Sequence, residues 1–186
     1  QTHSHPSAVP RIRRSGREAG LAVREYWDLY DRDNRPTGET LARGERMPKD
    51  RYHRVVEAWI RTHDGRYILQ KRSMKKKNYP GYWSCTACGS VVKDEAPDDA
   101  MIREMKEEMG VELTKEELHL DRIITEFPAH YYIYRIEKEL TEEDITLDPA
   151  EVDDFIFLDR DEVMDWVETK HMTKLSYYKD FFLGWK

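Results

Sequence analysis

Four carboxylates and a guanidinium stand at fixed intervals in the stretch GSVVKDEAPDDAMIREMKEEMGV, Gly89 to Val111: Glu95, Arg103, Glu104, Glu107 and Glu108. At about 100° of helical rotation per residue, Glu104, Glu107 and Glu108 fall within roughly a 100° arc, because positions i, i+3 and i+4 share a face. Like charges so placed repel, more strongly in a cleft than in open solvent, and a counter-ion relieves them. Oxygen ligands in that number suit Mg2+ or Mn2+. Glu104, Glu107 and Glu108 would face such an ion. Arg103, four residues before Glu107, is spaced to pair with it and hold its rotamer. The competing reading is a solvated acidic helix face, the usual role of such a run.

The element that must present these groups announces its own ends. Pro97 suits the first helical position, Asp98 and Asp99 complement the macrodipole in the first turn, and Gly110 suits a left-handed closing residue. The spacing therefore predicts a helix from Pro97 to Met109. Ala100, Met101, Met105 and Met109 make the apolar stripe that would dock it on a sheet. Strands are expected around it: YWDLYD and ETLARGE flanking a polar turn, Arg51–Thr62 and RYILQKR joined at Asp64-Gly65, Trp83–Val92, Leu120–Glu126 paired with His130–Lys138, and Asp154–Leu158. Two further helices are expected, Asp159–Val167 capped by Asp159, and Lys174–Leu183 packing Leu175, Tyr178 and Phe182 on the body. The class is α/β, a mixed β-sheet sandwiched between helices.

The carboxylate stretch resembles the Nudix box, G-x5-E-x7-R-E-U-x-E-E-x-G-U with U a bulky aliphatic residue, at every fixed position: Gly89, Glu95, Arg103, Glu104, Met105, Glu107, Glu108, Gly110 and Val111. That resemblance implies the Nudix α/β/α sandwich and an enzyme that uses Mg2+ or Mn2+ to hydrolyse a diphosphate linkage. Glu104, Glu107 and Glu108 would then hold the metal, Glu95 adding a water-mediated or conditional ligand, with Arg103 orienting Glu107 and either Glu104 or Glu151 taking the proton from the attacking water. Gly89 and Gly110 are expected to allow sharp entry to and exit from the helix.

Ahead of the box, QKRSMKKKNYPGYW carries five basic residues, of which Lys71, Arg72 and Lys75 are the first candidates to neutralise an incoming diphosphate. A solvated loop is the alternative. With YHRVVEAWI, ILQKRS, PGYW and the Cys-Gly pair at Cys88, the chain is similar from about Glu25 to Val167 to the Nudix subgroup related to isopentenyl-diphosphate isomerase. This second resemblance implies His53 as a histidine ligand, Cys88 as the catalytic cysteine and Glu151 as the catalytic glutamate. Ser90 and Pro149 stand where that family has further metal ligands, and the isomerases carry a degraded box whereas this one is intact. Diphosphate hydrolysis is therefore expected in place of alkene protonation. A non-catalytic nucleotide-binding domain is the third reading, and a complete set of mutually repelling carboxylates argues against it. Taken from the residues alone, His53 on an apolar strand is a packed, hydrogen-bonded histidine, and Cys88 a small buried residue.

The 186 residues suit one domain, expected over 23–186, preceded by a flexible arm over 1–22 that is rich in Ser, Pro, Gly and Arg. The arm's arginines lack the apolar region of a targeting segment. With 39% hydrophobic and 37% charged residues and no long apolar run, no membrane span is expected, and the chain reads as cytoplasmic. A net charge of -6 argues against general affinity for nucleic-acid backbones, while a small-molecule diphosphate substrate and a homodimer are both compatible with it. Cys85 and Cys88 form a C-x-x-C without the further ligands of a zinc site. Residues i and i+3 of one continuous strand face opposite ways, so free thiols are expected. The aromatics Tyr79, Tyr82, Trp83, Tyr131 and Tyr132 are candidates to stack on a base.

Overall fold

The computed structural model of the chain describes residues 11–12, 24–173 and 176–186. In chain order the strands are β1 (Arg11–Ile12), β2 (Tyr26–Tyr30), β3 (Pro36–Ala42), β4 (His53–Arg61), β5 (Tyr67–Arg72), β6 (Trp83–Ser84) and β7 (Ala87–Ser90). Helix α1 (Pro97–Met109) follows, then β8 (His119–Glu126), β9 (Ala129–Glu137), β10 (Thr146–Leu147), β11 (Val152–Leu158), α2 (Arg160–Thr169) and α3 (Tyr178–Gly184).

The main sheet runs β11-β5-β4-β9-β8, with β6 added to β5 and β7 to β4. Pairing of β4 with β9 is parallel and the remaining pairs are antiparallel, so the sheet is mixed, as expected. Two small sheets, β2-β3 and β1-β10, stand beside it.

Strand β4 sets the layers by simple alternation. Val56, Ala58 and Ile60 point into one core with Ala100, Met101, Met105 and Met109 of α1. Trp59 points into the other, with Val163 of α2 and Tyr178, Phe181 and Phe182 of α3. The sheet therefore lies between α1 and the α2-α3 pair, an α/β/α sandwich.

Helix α1 spans the residues that its end signals predict, with Gly110 closing it in the left-handed region at φ 68°. Any Cβ there would come within 2.9 Å of Thr146 as well. Helix α2 is capped as expected: Asp159 accepts from the Glu162 amide at 2.8 Å, and the Glu162 carboxylate answers from the Asp159 amide at 3.1 Å. Gly65 provides the positive φ, 82°, that the β4–β5 turn needs.

Three expectations need correction. The strand expected over Trp83–Val92 is broken at Cys85 and Thr86. Here Thr86 turns its hydroxyl inward, accepting from the Ile60 amide at 2.9 Å and donating to the Ile68 carbonyl, so one side chain bridges β4 and β5 where a ladder would otherwise run. Because of that break Cys85 and Cys88 pack against the same core, although alternation along an unbroken strand places them on opposite faces. Both are free thiols, as expected. The last helix starts at Tyr178, four residues later than expected; Tyr178 and Phe182 are buried in it, and Leu175 lies outside the described residues. Of the expected arm, Arg11 and Ile12 pair in parallel with Thr146 and Leu147, and the rest lies outside the described residues. No helix among the described residues is long and apolar enough to cross a membrane.

Candidate active site

Strands β4 and β5 pair only at Ile60–Ile68 and Arg61–Tyr67, then separate, and the short β6 and β7 fill the widening gap. Into this splay α1 delivers Glu108, whose residue is 3% exposed. One carboxylate oxygen accepts from the Cys88 amide on β7 at 3.1 Å, and the other from Gln70 Nε2 on β5 at 2.8 Å. Gln70 is completely buried and also donates to the Thr86 carbonyl at 3.1 Å. Burial pushes the Glu108 carboxyl well above the usual carboxylate range, the nearby Cys88 and Glu104 act the same way, and the two hydrogen bonds oppose them.

One turn earlier on α1, Glu104 lies over Gly89 of β7. A Cβ built on Gly89 would collide with the Glu104 carboxyl group, so this glycine provides room for a side chain. Its φ is not among the positive ones, which corrects the expectation that Gly89 serves a sharp backbone turn. Burial raises the Glu104 carboxyl to about 7, against the opposing charge of Arg103; the charges of Glu107 and Glu151 add to the rise.

Arg103 binds the box together, though not chiefly through Glu107. Its Nε and Nη2 grip Glu95 at 2.8 and 2.9 Å, Nη1 donates to Glu104 at 2.8 Å, and Nη2 reaches the Ser90 carbonyl at 3.1 Å. The contact to Glu107 is the longest, 3.4 Å. A two-point grip is what a guanidinium does best, and Glu95 is further tied by the Val92 amide at 3.2 Å. Glu95 is thus bound up in holding Arg103, while Glu107 is half exposed.

The donor set fits a hard divalent cation. Glu104, Glu107 and Glu108 are oxygen donors on one helix face, Glu108 buried and Glu104 half-buried, both with carboxyls raised by desolvation and neighbouring negative charge, which a cation would reverse. Gln70 Oε1 lies buried beside them without a hydrogen-bond partner among the described residues. Those residues contain no three Asp, Glu, His or Cys side chains already drawn together as a coordination cluster, since Arg103 gathers Glu104 and Glu107 to one nitrogen.

Across the splay, the turn before β11 carries Glu151. The Asp148 amide bonds the Glu108 carbonyl at 3.2 Å and the Ser73 amide bonds the Glu151 carbonyl at 2.9 Å, which fixes this turn to both α1 and the basic loop. The Glu151 carboxylate pairs with Lys76. Of the three basic candidates, Arg72 turns inward, with Nη1 4.0 Å from Cys88 Sγ while Nε and Nη2 donate to the Asn78 carbonyl. Lys71 is half-buried on β5, and Lys75 is exposed. Among the described residues none of these three forms an ion pair.

The isomerase resemblance marks His53, Cys88, Ser90, Pro149 and Glu151. His53 is buried with its ring stacked on Trp27 at 4.0 Å, and burial lowers its imidazole to about 4. It is packed as expected, but its Nδ1 has no hydrogen-bond partner among the described residues. Pro149 lies in the Glu151 turn and Ser90 offers its carbonyl to Arg103. Cys88 is half-buried, more open than expected, and its thiol is lowered by a hydrogen bond with Cys85.

Two buried polar side chains escaped the sequence reading. Gln70 left a trace, as the polar member of the otherwise apolar run YILQ in a strand buried through Gln70. Glu57 did likewise, an acid inside VVEAWI that the structure places 6% exposed.

Residues 51–181 match the NUDIX domain family. A Nudix hydrolase of Listeria monocytogenes is 31% identical over 144 residues, 75% of this chain and 82% of its own. An isopentenyl-diphosphate Delta-isomerase of Salmonella paratyphi B is 31% identical over 90 residues, 48% of this chain and 50% of that one, so the likeness spans half of that enzyme. Among solved structures, a Deinococcus radiodurans protein superposes with a TM-score of 0.68 at 20% identity, covering 87% of this chain and all of its own. A MutT protein of Methanosarcina mazei gives 0.56 at 20% identity over 72% and 91%. These two are likenesses of fold.

Proposed function

The chain belongs to the Nudix family and is a hydrolase of diphosphate bonds, and we propose that it cleaves a nucleoside-diphosphate-type or other organic diphosphate with Mg2+ or Mn2+ as cofactor. The observation that carries this reading is the delivery of Glu104 and Glu108 by one helix face into the splay between β5 and β7. Glu104, Glu107 and Glu108 would hold the cation. When bound, it supplies Lewis acidity and offsets the charge of the diphosphate.

The chain's own groups do the rest. The Cys88 amide and Gln70 fix the plane of Glu108, and Arg103, itself held by Glu95, fixes Glu104. Arg72, with Lys71 and Lys75 further out, favours the anionic substrate at the opening of the splay. Glu151 takes the proton from the attacking water: it sits on a separate turn, near enough for its charge to act on Glu104, and is paired there with Lys76. Glu104, gripped by Arg103, serves as ligand.

The test is Mg2+-dependent release of phosphate-containing products over a panel of organic diphosphates. Glu107→Gln and Glu108→Gln should each lower turnover by orders of magnitude with the fold intact. Near wild-type turnover in both would sink the assignment. Alkene protonation gains no support from His53, whose ring is stacked on Trp27 at 4.0 Å.

A further inference from the structure

The C-x-x-C of WSCTACGS is a motif that the hydrolytic chemistry leaves unused, and its two members are the only cysteines of the chain. The break at Cys85 and Thr86 decides what they can do. On an unbroken strand residues i and i+3 face opposite ways, and their sulfurs could not meet. Here both pack against the core beneath α2 and α3, and the two thiols are hydrogen-bonded to each other.

The two sulfurs differ in access. Cys85 is completely buried, its sulfur 3.3 Å from the Ala87 carbonyl and 3.6 Å from the Ser84 hydroxyl. Cys88 is half-buried on β7, with a guanidinium nitrogen of Arg72 4.0 Å from its sulfur. A cation beside a partly open thiol is the setting of a reactive cysteine, and a second thiol within reach is the setting of one that resolves to a disulfide.

We propose that Cys85 and Cys88 form a modification site, oxidised by a hydroperoxide to an internal disulfide that loosens the hold on Glu108. The Cys88 sulfur attacks one peroxide oxygen, the O–O bond breaks, and the thiol proton leaves on the departing oxygen, as water when the oxidant is hydrogen peroxide. Cys85 then attacks the sulfur of the Cys88 sulfenic acid; the S–O bond breaks, and the oxygen departs as water with the Cys85 proton. Two thiols are oxidised and one peroxide is reduced. A dithiol reverses the bond by exchange.

Bonded sulfurs stand closer than hydrogen-bonded ones, so one cysteine must move. Cys85 is walled in: its carbonyl accepts from the Gln70 amide at 3.3 Å, and the adjoining Thr86 hydroxyl bridges Ile60 and Ile68. The movement falls to Cys88, whose amide is one of the two donors that hold Glu108. The effect on metal binding rests on the hydrolase reading; the disulfide does not.

The reduced full chain would be treated with hydrogen peroxide and freed of it. Free-thiol labelling under denaturing conditions, the mass of the peptide that holds both cysteines, and Mn2+ calorimetry would follow, before and after dithiothreitol. The expected result is that the two free thiols fall to none and the peptide loses two hydrogens within a single chain. Mn2+ affinity should fall by at least about tenfold, and dithiothreitol should restore every value. Cys85→Ala should bind Mn2+ as wild type does before oxidation, and afterwards carry a Cys88 sulfenic acid that dimedone captures. Thiols that stay free, bonds between chains in place of the internal one, unchanged Mn2+ affinity in the disulfide form, or a loss that dithiothreitol does not restore each overturn the inference. If the reduced chain binds no Mn2+, the metal reading falls instead, while thiol count and peptide mass still decide the modification.

Discussion

The carboxyl group of Glu104 occupies the space that a side chain on Gly89 would fill, so a residue of α1 reaches its working position because a residue of β7 has no side chain. Gly89→Ala should therefore act on turnover far more than on stability. The obstructing atom is the end of a flexible side chain, which can swing away at little cost to the fold. A carboxylate displaced by an ångström can cost about a hundredfold in rate. Steady-state turnover on any diphosphate that wild type cleaves, beside a urea denaturation curve, measures both; unaltered turnover in the variant would remove Glu104 from the site.

Gln70 holds one oxygen of Glu108 and touches no solvent. Gln70→Leu keeps the volume of the side chain and removes the donor. Second-layer partners of metal ligands are worth about 10- to 100-fold in affinity, and a loss of that size in Mn2+ binding is expected by calorimetry without substrate. Unchanged Mn2+ affinity in a folded variant would falsify the positioning role.

Arg103 spreads its nitrogens over Glu95, Glu104 and the Ser90 carbonyl, a fork that a lysine cannot reproduce. Arg103→Lys should lower kcat by about tenfold or more with a smaller change in KM. The reverse pattern, a raised KM at constant kcat, would mean that Arg103 meets the substrate directly.

Two buried groups should give opposite pH dependences of stability. Burial raises Glu57 to about 7, so between its ordinary value of 4.5 and 7 the folded chain holds a proton that the unfolded chain has lost, and stability falls as pH rises. Burial, aided by the charge of Arg43, lowers His53 to about 4, so between 6.5 and 4 the unfolded chain takes a proton that the folded one refuses, and stability falls as pH drops. Each contributes about 3 kcal/mol, and between pH 4.5 and 6.5 they largely cancel. Glu57→Gln should gain on wild type as pH rises from 4.5 to 7, and His53→Phe, which keeps a ring on Trp27, should gain as pH falls from 6.5 to 4. Urea midpoints across this range check both, and parallel curves for all three proteins would contradict the assignment of either group.

The chain spelled out α1 almost completely, because its ends and its apolar stripe depend on residues within a few positions of one another: Pro97, Asp98, Gly110 and the methionines. The box carboxylates followed, since their common face is a property of helical spacing. What could not be read was whatever depends on a second element. The break at Cys85 and Thr86 follows from a hydroxyl shared between β4 and β5, and nothing local in WSCTACGS announces it. Arg103 looked like the partner of Glu107 at four residues' distance, yet its stronger bonds go to Glu95 across the loop and to Ser90 on β7. Glu151 and Lys76 meet across 75 positions of sequence, through a turn fixed by Ser73 and Asp148.

The alternation along β4 also guards the sheet against mispairing. In the native register Val56, Ala58 and Ile60 meet the methionines of α1 while Glu57 meets Tyr177. A slip of one residue would press a carboxylate against Met101 and Met105 and turn Val56 toward the tyrosines. The same acid thus makes the neighbouring registers untenable, and an apolar residue at position 57 would leave this central strand freer to pair out of step while the chain folds.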